Sequence, residues 1–295
     1  MSWLPKCLES CRPYPVIVVD NNSGDDTVTF IITHYPEITL LPQNKNLGFG
    51  QANNIGISHA LKQGADFVFL LNQDAYLREE CIAKLLEAHK NNDQYGILSP
   101  IHLNGRGDAL DRNFSNYVRF DAIPGFYSDF VLGNSLSKIY EVPFVNAAGW
   151  LLARAILETV GGFDPIFFHY GEDDNYCQRA RFHGYKIGVV PTTFLLHDRE
   201  ARLVPHFERG SKEYFVRMER SLKLKYANIN IESIEELENL VKKRKMNILK
   251  AALKMNFSEV NYLNKEVKLL KKLIPEIQKS RKLNRQKIAT YLNLI

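Results

Sequence analysis

The stretch Gly171-Glu172-Asp173-Asp174-Asn175 places three adjacent carboxylates behind the aromatic run Phe167-Phe168-His169-Tyr170. Acidic side chains favour the first turn of a helix, where backbone N–H groups are unpaired, so helix-terminal charge is one reading of them. The other is catalytic: one carboxylate faces a pocket as general base while its neighbours position it. Upstream, Asn72-Gln73-Asp74 closes a short apolar run and is a candidate metal site. Asn46-Leu47-Gly48-Phe49-Gly50 carries two glycines ahead of a helical pattern, which lets backbone amides approach a phosphate or ribose. His197 beside Asp198 ends a later apolar run; it is either a hydrogen-bonded surface histidine or a metal ligand.

These groups need elements to hold them. Residues 3–10 read as a short helix, Val16 to Asp20 as a buried strand, Thr27 to His34 as a helix, and Ile38 to Leu41 as a short strand. The helix opening near Gly48 runs to about Gln63. Asp66 to Leu71 is a second buried strand, Arg78 to about Asn91 an amphipathic helix, and Gly96 to Pro100 a further strand. Such alternation predicts an α/β fold, with a mostly parallel sheet flanked by helices and its ligands at the carboxyl ends of the strands. Asp20 and Asp74 both sit at such ends, although an aspartate there also caps turns. The aromatic-rich region from Ile101 to Glu141 reads either as a small hairpin or as a specificity wall. Val145 to Trp150 leads into a helix over about 153–160, stopped by Gly161-Gly162, and strands follow at 187–190 and 194–196.

From Phe207 the pattern turns helical and basic. This part has 21 Lys and Arg against 10 Asp and Glu, whereas the preceding part has 17 against 23, so the net charge of +5 hides two opposed halves. A boundary at 206/207 is therefore expected, with a domain over 1–206 and a helical extension over 207–295. Ser233 and Glu236 suit a capping box, and Pro275 is expected to break the last helical pattern. Lys242-Lys243-Arg244-Lys245 and Arg281-Lys282 with Arg285 and Lys287 read as solvated faces or as contacts for an anionic membrane surface. No recognised motif favours nucleic acid. The four cysteines are too few and too scattered for a disulfide framework, and the start does not read as a signal peptide, which fits a cytoplasmic location, peripheral at the inner face of the plasma membrane if the basic helices bind lipid.

Taken in order, Val18-Val19-Asp20-Asn21-Asn22-Ser23, Asn46-Leu47-Gly48-Phe49 with Asn53-Asn54-Ile55-Gly56, Leu70-Leu71-Asn72-Gln73-Asp74, Val160-Gly161-Gly162-Phe163-Asp164, Tyr170-Gly171-Glu172-Asp173 with Arg179, and Pro191 with His197 resemble the family-2 glycosyltransferases. The likeness is to the rhamnosyltransferase-like members, which have the GT-A nucleotide-diphospho-sugar transferase fold. The resemblance implies an inverting, metal-dependent hexosyl transfer from a dTDP- or UDP-linked sugar to a saccharide or lipid-linked acceptor. It assigns Asp74 and His197 to Mg²⁺ or Mn²⁺, and Asp20, Asn22, Asn46, Gly48, Asn53, Asn54 and Asn72 to the donor. Asp173 becomes the base, with Glu172 as the alternative, and Gly149 and Trp150 face the acceptor. Asn72 and Asn175 stand where the family often has acids. The family's first strand, which would precede the helix at 3–10, is not found here, so a non-catalytic nucleotide-sugar-binding protein is a competing expectation. A sugar nucleotidyltransferase is another, although the Gly-rich loop with Arg and Lys that it needs is not visible.

Overall fold

The computed structural model describes residues 1–199 and 207–294, which fall into two compact units. One contains 1–199 together with 287–294; the other contains 207–286. The last residues, expected within the helical extension, thus pack on the first unit. Thr290 O accepts from Gly162 N (2.8 Å), Thr290 Oγ1 donates to Val160 O (3.1 Å), and Asn293 N donates to Ser58 Oγ (3.0 Å).

The first unit runs α1 (Leu4–Ser10), β1 (Ile17–Val18), α2 (Thr27–His34), β2 (Thr39–Leu40), α3 (Phe49–Lys62), β3 (Phe67–Leu71), β4 (Ala75–Leu77), α4 (Cys81–His89) and β5 (Tyr95–Asn104). It continues through α5 (Arg112–Tyr117), α6 (Pro124–Leu132), β6 (Tyr140–Glu141), β7 (Gly149–Ala153), α7 (Arg154–Thr159), α8 (Glu172–Phe182) and β8 (Lys186–His197). β1 and β2 form a parallel pair, and the main sheet has the order β3-β7-β5-β8-β4 with β6 on β8. Helices flank it as expected, but the sheet is mixed rather than mostly parallel: in it only β5 and β8 run parallel. The excursion through α5 and α6 returns β7 against the direction of its neighbours, where a single crossover helix would have kept them aligned.

The two strands expected at 187–190 and 194–196 are one. In the β5/β8 ladder Pro100 pairs with Val190 and Ile101 with Phe194, so Pro191 lies in a bulge, where its missing N–H disrupts no ladder bond. The 101–141 region opens with a small hairpin, Leu103 bridging Leu110 antiparallel with Asn104 N donating to Ala109 O (2.9 Å) and Asp111 N to His102 O (2.9 Å), and continues with two short helices. Asp111 caps α5 by accepting from Asn113 N (3.0 Å) and Phe114 N (2.9 Å), Pro124 starts α6, and Gly133 ends it in the left-handed region. The core is built on the inner strands: Ile97, Leu98, Leu152 and Val189 are fully enclosed, and Trp150 stacks on Phe163 at 6.1 Å.

The second unit consists of α9 (Lys212–Tyr226), α10 (Glu235–Leu253) and α11 (Phe257–Asn284), with α10 and α11 packed as a hairpin. Leu237 and Val241 of α10 and Leu263, Val267, Leu270 of α11 are buried at helical spacing. α11 runs through Pro275. The proline ring is solvent-exposed, and buried Leu273 and Ile277 on either side hold the helix together across the lost hydrogen bond. Of the capping box, only Ser233 Oγ accepting from Glu235 N (3.4 Å) is seen.

Candidate active site

β3 and β8 end, and β7 begins, at one edge of the sheet. Leu71 pairs with Gly149, His197 pairs with Ala75, and Asn104 at the end of β5 pairs with His197. After Leu71 the chain turns tightly, Ala75 N donating to Asn72 O (3.0 Å), which brings Asp74 beside the end of β8. His197 Nε2 lies 3.5 Å from Asp74 Oδ1, and His197 Nδ1 lies 4.0 Å from Asp111 Oδ2. Asp111 is in turn clasped by the Arg199 guanidinium (Nε to Oδ2, 2.9 Å). The result is a line of ionisable groups, Asp74, His197, Asp111 and Arg199, with the imidazole between two carboxylates. Burial works to raise the Asp74 carboxyl, but its hydrogen bond and charge interaction with His197 outweigh this and hold it below the ordinary value. For Asp111 too burial opposes ionisation, while Arg199 and the backbone N–H of Phe114 bring the carboxyl below the usual range.

The acidic stretch enters from the other side. Tyr170 and Gly171 both have positive φ, 66° and 97°, so the chain pivots sharply before Glu172 opens α8. Burial pushes the Asp173 carboxyl above its ordinary range, against backbone N–H groups of Asp174, Asp173 and Ala147 that favour the anion. Ala147 ties the two sides together: its N–H serves Asp173, and the next residue, Ala148, accepts from Asn72 N through its carbonyl (3.1 Å). Tyr117 lies in electrostatic reach of Asp173, Arg199 and Asp111 together. Glu172 is buried, packed near Gly50 of α3.

The glycine-bearing loop reaches the same place. Gly48 has φ +80°, and a Cβ there would come within 1.9 Å of Phe168 O, so the aromatic run lies directly over the loop. Two asparagines stitch the loop to the end of β1: Asn21 donates to Asn46 Oδ1 (3.0 Å) and Gly48 O (3.2 Å), Leu47 N donates to Asn21 Oδ1 (2.8 Å), and Gly48 N donates to Asn46 Oδ1 (2.8 Å). Asp20 is buried; its Oδ2 accepts from Ser23 N (3.2 Å), whereas Oδ1 has no hydrogen-bond partner among the described residues. Buried oxygens are normally paired, so this one has capacity left for a ligand donor.

Several expected residues stand elsewhere. Asn54 is consumed by structure: it donates to Phe163 O (2.8 Å) and accepts from Phe163 N (2.7 Å), clamping α3 to the Gly162-Phe163 turn and leaving no free amide for a donor. Asn53 Nδ2 is turned back on Phe49 O (3.0 Å), and Asn22 is solvent-exposed with φ 64°. Trp150 is fully enclosed in the aromatic core and Gly149 is packed under Leu195, so neither presents a face to an acceptor. Arg179 is a buried strut that donates to Gly162 O (2.7 Å) and Val160 O. Conversely, Asn21, Asp111, Arg199 and Ala147 are members of the site that local patterns do not reveal; Asp111 and Arg199 are 88 residues apart, and only Asp111's capping position before a helix leaves a trace in sequence.

The fold and this edge define a GT-A glycosyltransferase. The structure resembles that of GalNAc-T7 with UDP, GalNAc and Mn²⁺ with a TM-score of 0.55 at 15% identity, over 76% of this chain and 45% of that one. The glycosyl transferase family 2 model matches residues 2–161, and the chain belongs to that family. Among curated relatives, it is 27% identical to the N-acetylglucosaminyl-diphospho-decaprenol L-rhamnosyltransferase of Mycobacterium tuberculosis over 208 residues, covering 64% of this chain and 67% of the relative. It is 26% identical to the dTDP-rhamnosyl transferase RfbF of Shigella flexneri, covering 62% of this chain and 59% of that one. The chain is thus a rhamnosyltransferase-like glycosyltransferase that moves a sugar from a nucleotide sugar.

Proposed function

We propose that the chain is an inverting, divalent-metal-dependent hexosyltransferase, with dTDP-rhamnose the first donor to test and a UDP-sugar the second, acting on a hydroxyl of a polysaccharide or lipid-linked oligosaccharide at a membrane surface. One observation supports this reading: the Asn72–Asp74 turn and Asp173 at the start of α8 are tied to consecutive residues, Ala148 and Ala147. Asp20, the Asn46 to Gly48 loop and Asn72 bind the nucleotide end. Asp173 takes the proton of the acceptor hydroxyl as its oxygen bonds to the anomeric carbon, while the bond from that carbon to the diphosphate oxygen breaks and the electron pair leaves with the diphosphate. Attack opposite the leaving group inverts the centre. The raised affinity of Asp173 for a proton makes it a stronger base than an exposed aspartate.

The donor set fits a hard or borderline cation. Asp74 is held ionised, and His197 has Nε2 3.5 Å from it, with Nδ1 on the side of the Asp111 carboxylate at 4.0 Å, too far for a hydrogen bond. Asp74 and His197 would hold Mn²⁺ or Mg²⁺, with the donor's phosphates completing the oxygen-rich shell. Bound there, the ion would offset charge growing on the diphosphate. Among the described residues no group of three or more His, Cys, Asp and Glu is clustered as a self-sufficient metal cage, so affinity is expected to depend on the nucleotide. A thermal-shift panel of nucleotide sugars with and without Mn²⁺ tests this. A donor that raises the melting temperature only when Mn²⁺ is present supports the reading; equal shifts without metal refute the metal dependence, and no shift with any donor refutes the donor site.

A further inference from the structure

The connection between α10 and α11 leaves a run of apolar side chains in water. Leu253 is 87% exposed, Met255 73% and Phe257 71%, and Met246 and Leu249 are exposed as well. Met246, Leu249 and Leu253 are spaced by three and four residues, so they share one stripe along the last two turns of α10, about 10 Å long. Every residue from Ala252 to Ser258 is solvent-exposed, so the tip projects from its own unit without covering anything.

The turn itself costs stability. Asn256 N donates to Ala251 O (3.0 Å) and Met255 N to Ala252 O (2.9 Å), the paired bonds of a Schellman helix end. Met255 occupies its left-handed position with φ 55°, where glycine would sit without strain. The chain therefore places a large apolar side chain at the outermost point of a strained turn, a combination that folding alone does not favour.

Basic side chains lead up to this tip. Between Glu238 and Glu259 the chain has six basic residues and no acidic one. Arg244 is engaged with Glu266 (2.8 Å), but Lys242, Lys243, Lys245, Lys250 and Lys254 are exposed and make no ion pair among the described residues. The second basic cluster differs: Arg281 is buried, spending its guanidinium on the carbonyls of Tyr226 (3.1 Å) and Ile231 (2.7 Å), and Lys287 belongs to the other unit. Exposed apolar side chains at the end of a helix that carries exposed lysines without ion pairs complement an anionic bilayer, whose headgroups take the ammonium groups while its acyl boundary takes the apolar tip. No helix among the described residues is long and apolar enough to cross a membrane, so the contact is interfacial.

We infer that the α10–α11 tip, through Leu253, Met255 and Phe257 and the exposed lysines of α10 that lead up to them, docks the protein on an anionic phospholipid surface. This holds whether or not the transfer reaction proposed above is correct, because the test reads binding rather than turnover. The full chain is floated with phosphatidylcholine vesicles and with vesicles containing phosphatidylglycerol. Binding is expected to the anionic vesicles alone and to weaken with salt. The combined variant Leu253→Ser, Met255→Gly, Phe257→Ser is expected to bind at least about tenfold more weakly with no loss of thermal stability, since Met255→Gly relieves strain. A charge variant, Lys243→Glu, Lys250→Glu, Lys254→Glu, is expected to lose binding to a similar degree. The proposal is overturned if the wild type ignores anionic vesicles or if the apolar variant binds as well as wild type. It is equally overturned if the tip drives only self-association, seen as a doubled mass in light scattering that the apolar variant abolishes.

Discussion

The two sides of the sheet edge are built by opposite means. The side proposed for the nucleotide is shaped mainly by amides, with the Asp20 carboxylate beside them: Asn21, Asn46 and Gly48 hold each other through hydrogen bonds, and Gly48 lies where Phe168 leaves no room for a side chain. The side proposed for the metal and the base lines up ionisable groups, Asp74, His197, Asp111 and Arg199, and adds the Asp173 carboxyl, which burial pushes up. A cradle of amides is intolerant of added atoms and little affected by pH; a row of ionisable groups is more tolerant of shape and sensitive to protonation. The site therefore separates recognition, set by packing, from chemistry, set by electrostatics, and substitutions on the two sides should fail in different ways.

The largest effect is expected from Asp173→Asn, which removes the base while leaving the shape. Turnover should fall about 10³-fold, while the donor-induced thermal shift persists; retained turnover would exclude Asp173 as the base. In the wild type the acid limb of kcat/KM should lie above the ordinary aspartate value of about 3.9, because burial raises this carboxyl and the base works only when ionised. On the cradle side, Gly48→Ala should cost about 3 kcal/mol of stability in urea unfolding and weaken donor binding with no change in pH profile. If Gly48→Ala shifted the pH profile, the two sides would not be independent.

Asp111→Asn breaks the line of ionisable groups at its centre without touching a reacting atom. It should cost roughly 2 kcal/mol, from the lost Arg199 pair, while the asparagine oxygen still caps α5. The sign with pH follows from the direction of the shift: Asp111 and Asp74 are both held below their ordinary values in the fold. Their contribution is therefore complete above the unfolded carboxylate value and is lost as pH falls through the lower folded one. The stability gap between wild type and Asp111→Asn should be full at neutral pH and close below about pH 4. A gap that widens on acidification would contradict the line of ionisable groups.

How far the sequence reveals this depends on the range of the interaction. Gly48, Asp74 and Asp173 announce themselves through local chemistry, a glycine before a helix, an acid after a strand, and acids at a helix start. His197 stands out through its place at a strand end. The ordered motifs carry the family and the fold. The mixed sheet direction does not show, because strand pairing is set by the path through α5 and α6 rather than by any strand's own residues. Pro191 and Pro275 mislead in the same way: each is absorbed, one by a bulge in β8 and one by flanking core contacts of α11, and both compensations are tertiary. Trp150 is a large aromatic beside the site in sequence, yet its side chain alternates to the core face of β7.

The finest discrimination is between neighbours. Asn21 and Asn22 are chemically identical, and the resemblance points to Asn22, but only Asn21 reaches across to Asn46, Leu47 and Gly48. Asn22 instead occupies a left-handed, exposed position for which glycine is at least as suited. Asn21→Ala should therefore lower stability by about 1 kcal/mol, the typical value of such hydrogen bonds, and loosen donor binding measured by calorimetry. Asn22→Gly should leave both within about 0.5 kcal/mol of wild type. If Asn22→Gly proved the more damaging for donor affinity, Asn22 would contact the ligand directly, and the cradle would be a set of contacting side chains rather than a shape held by the backbone.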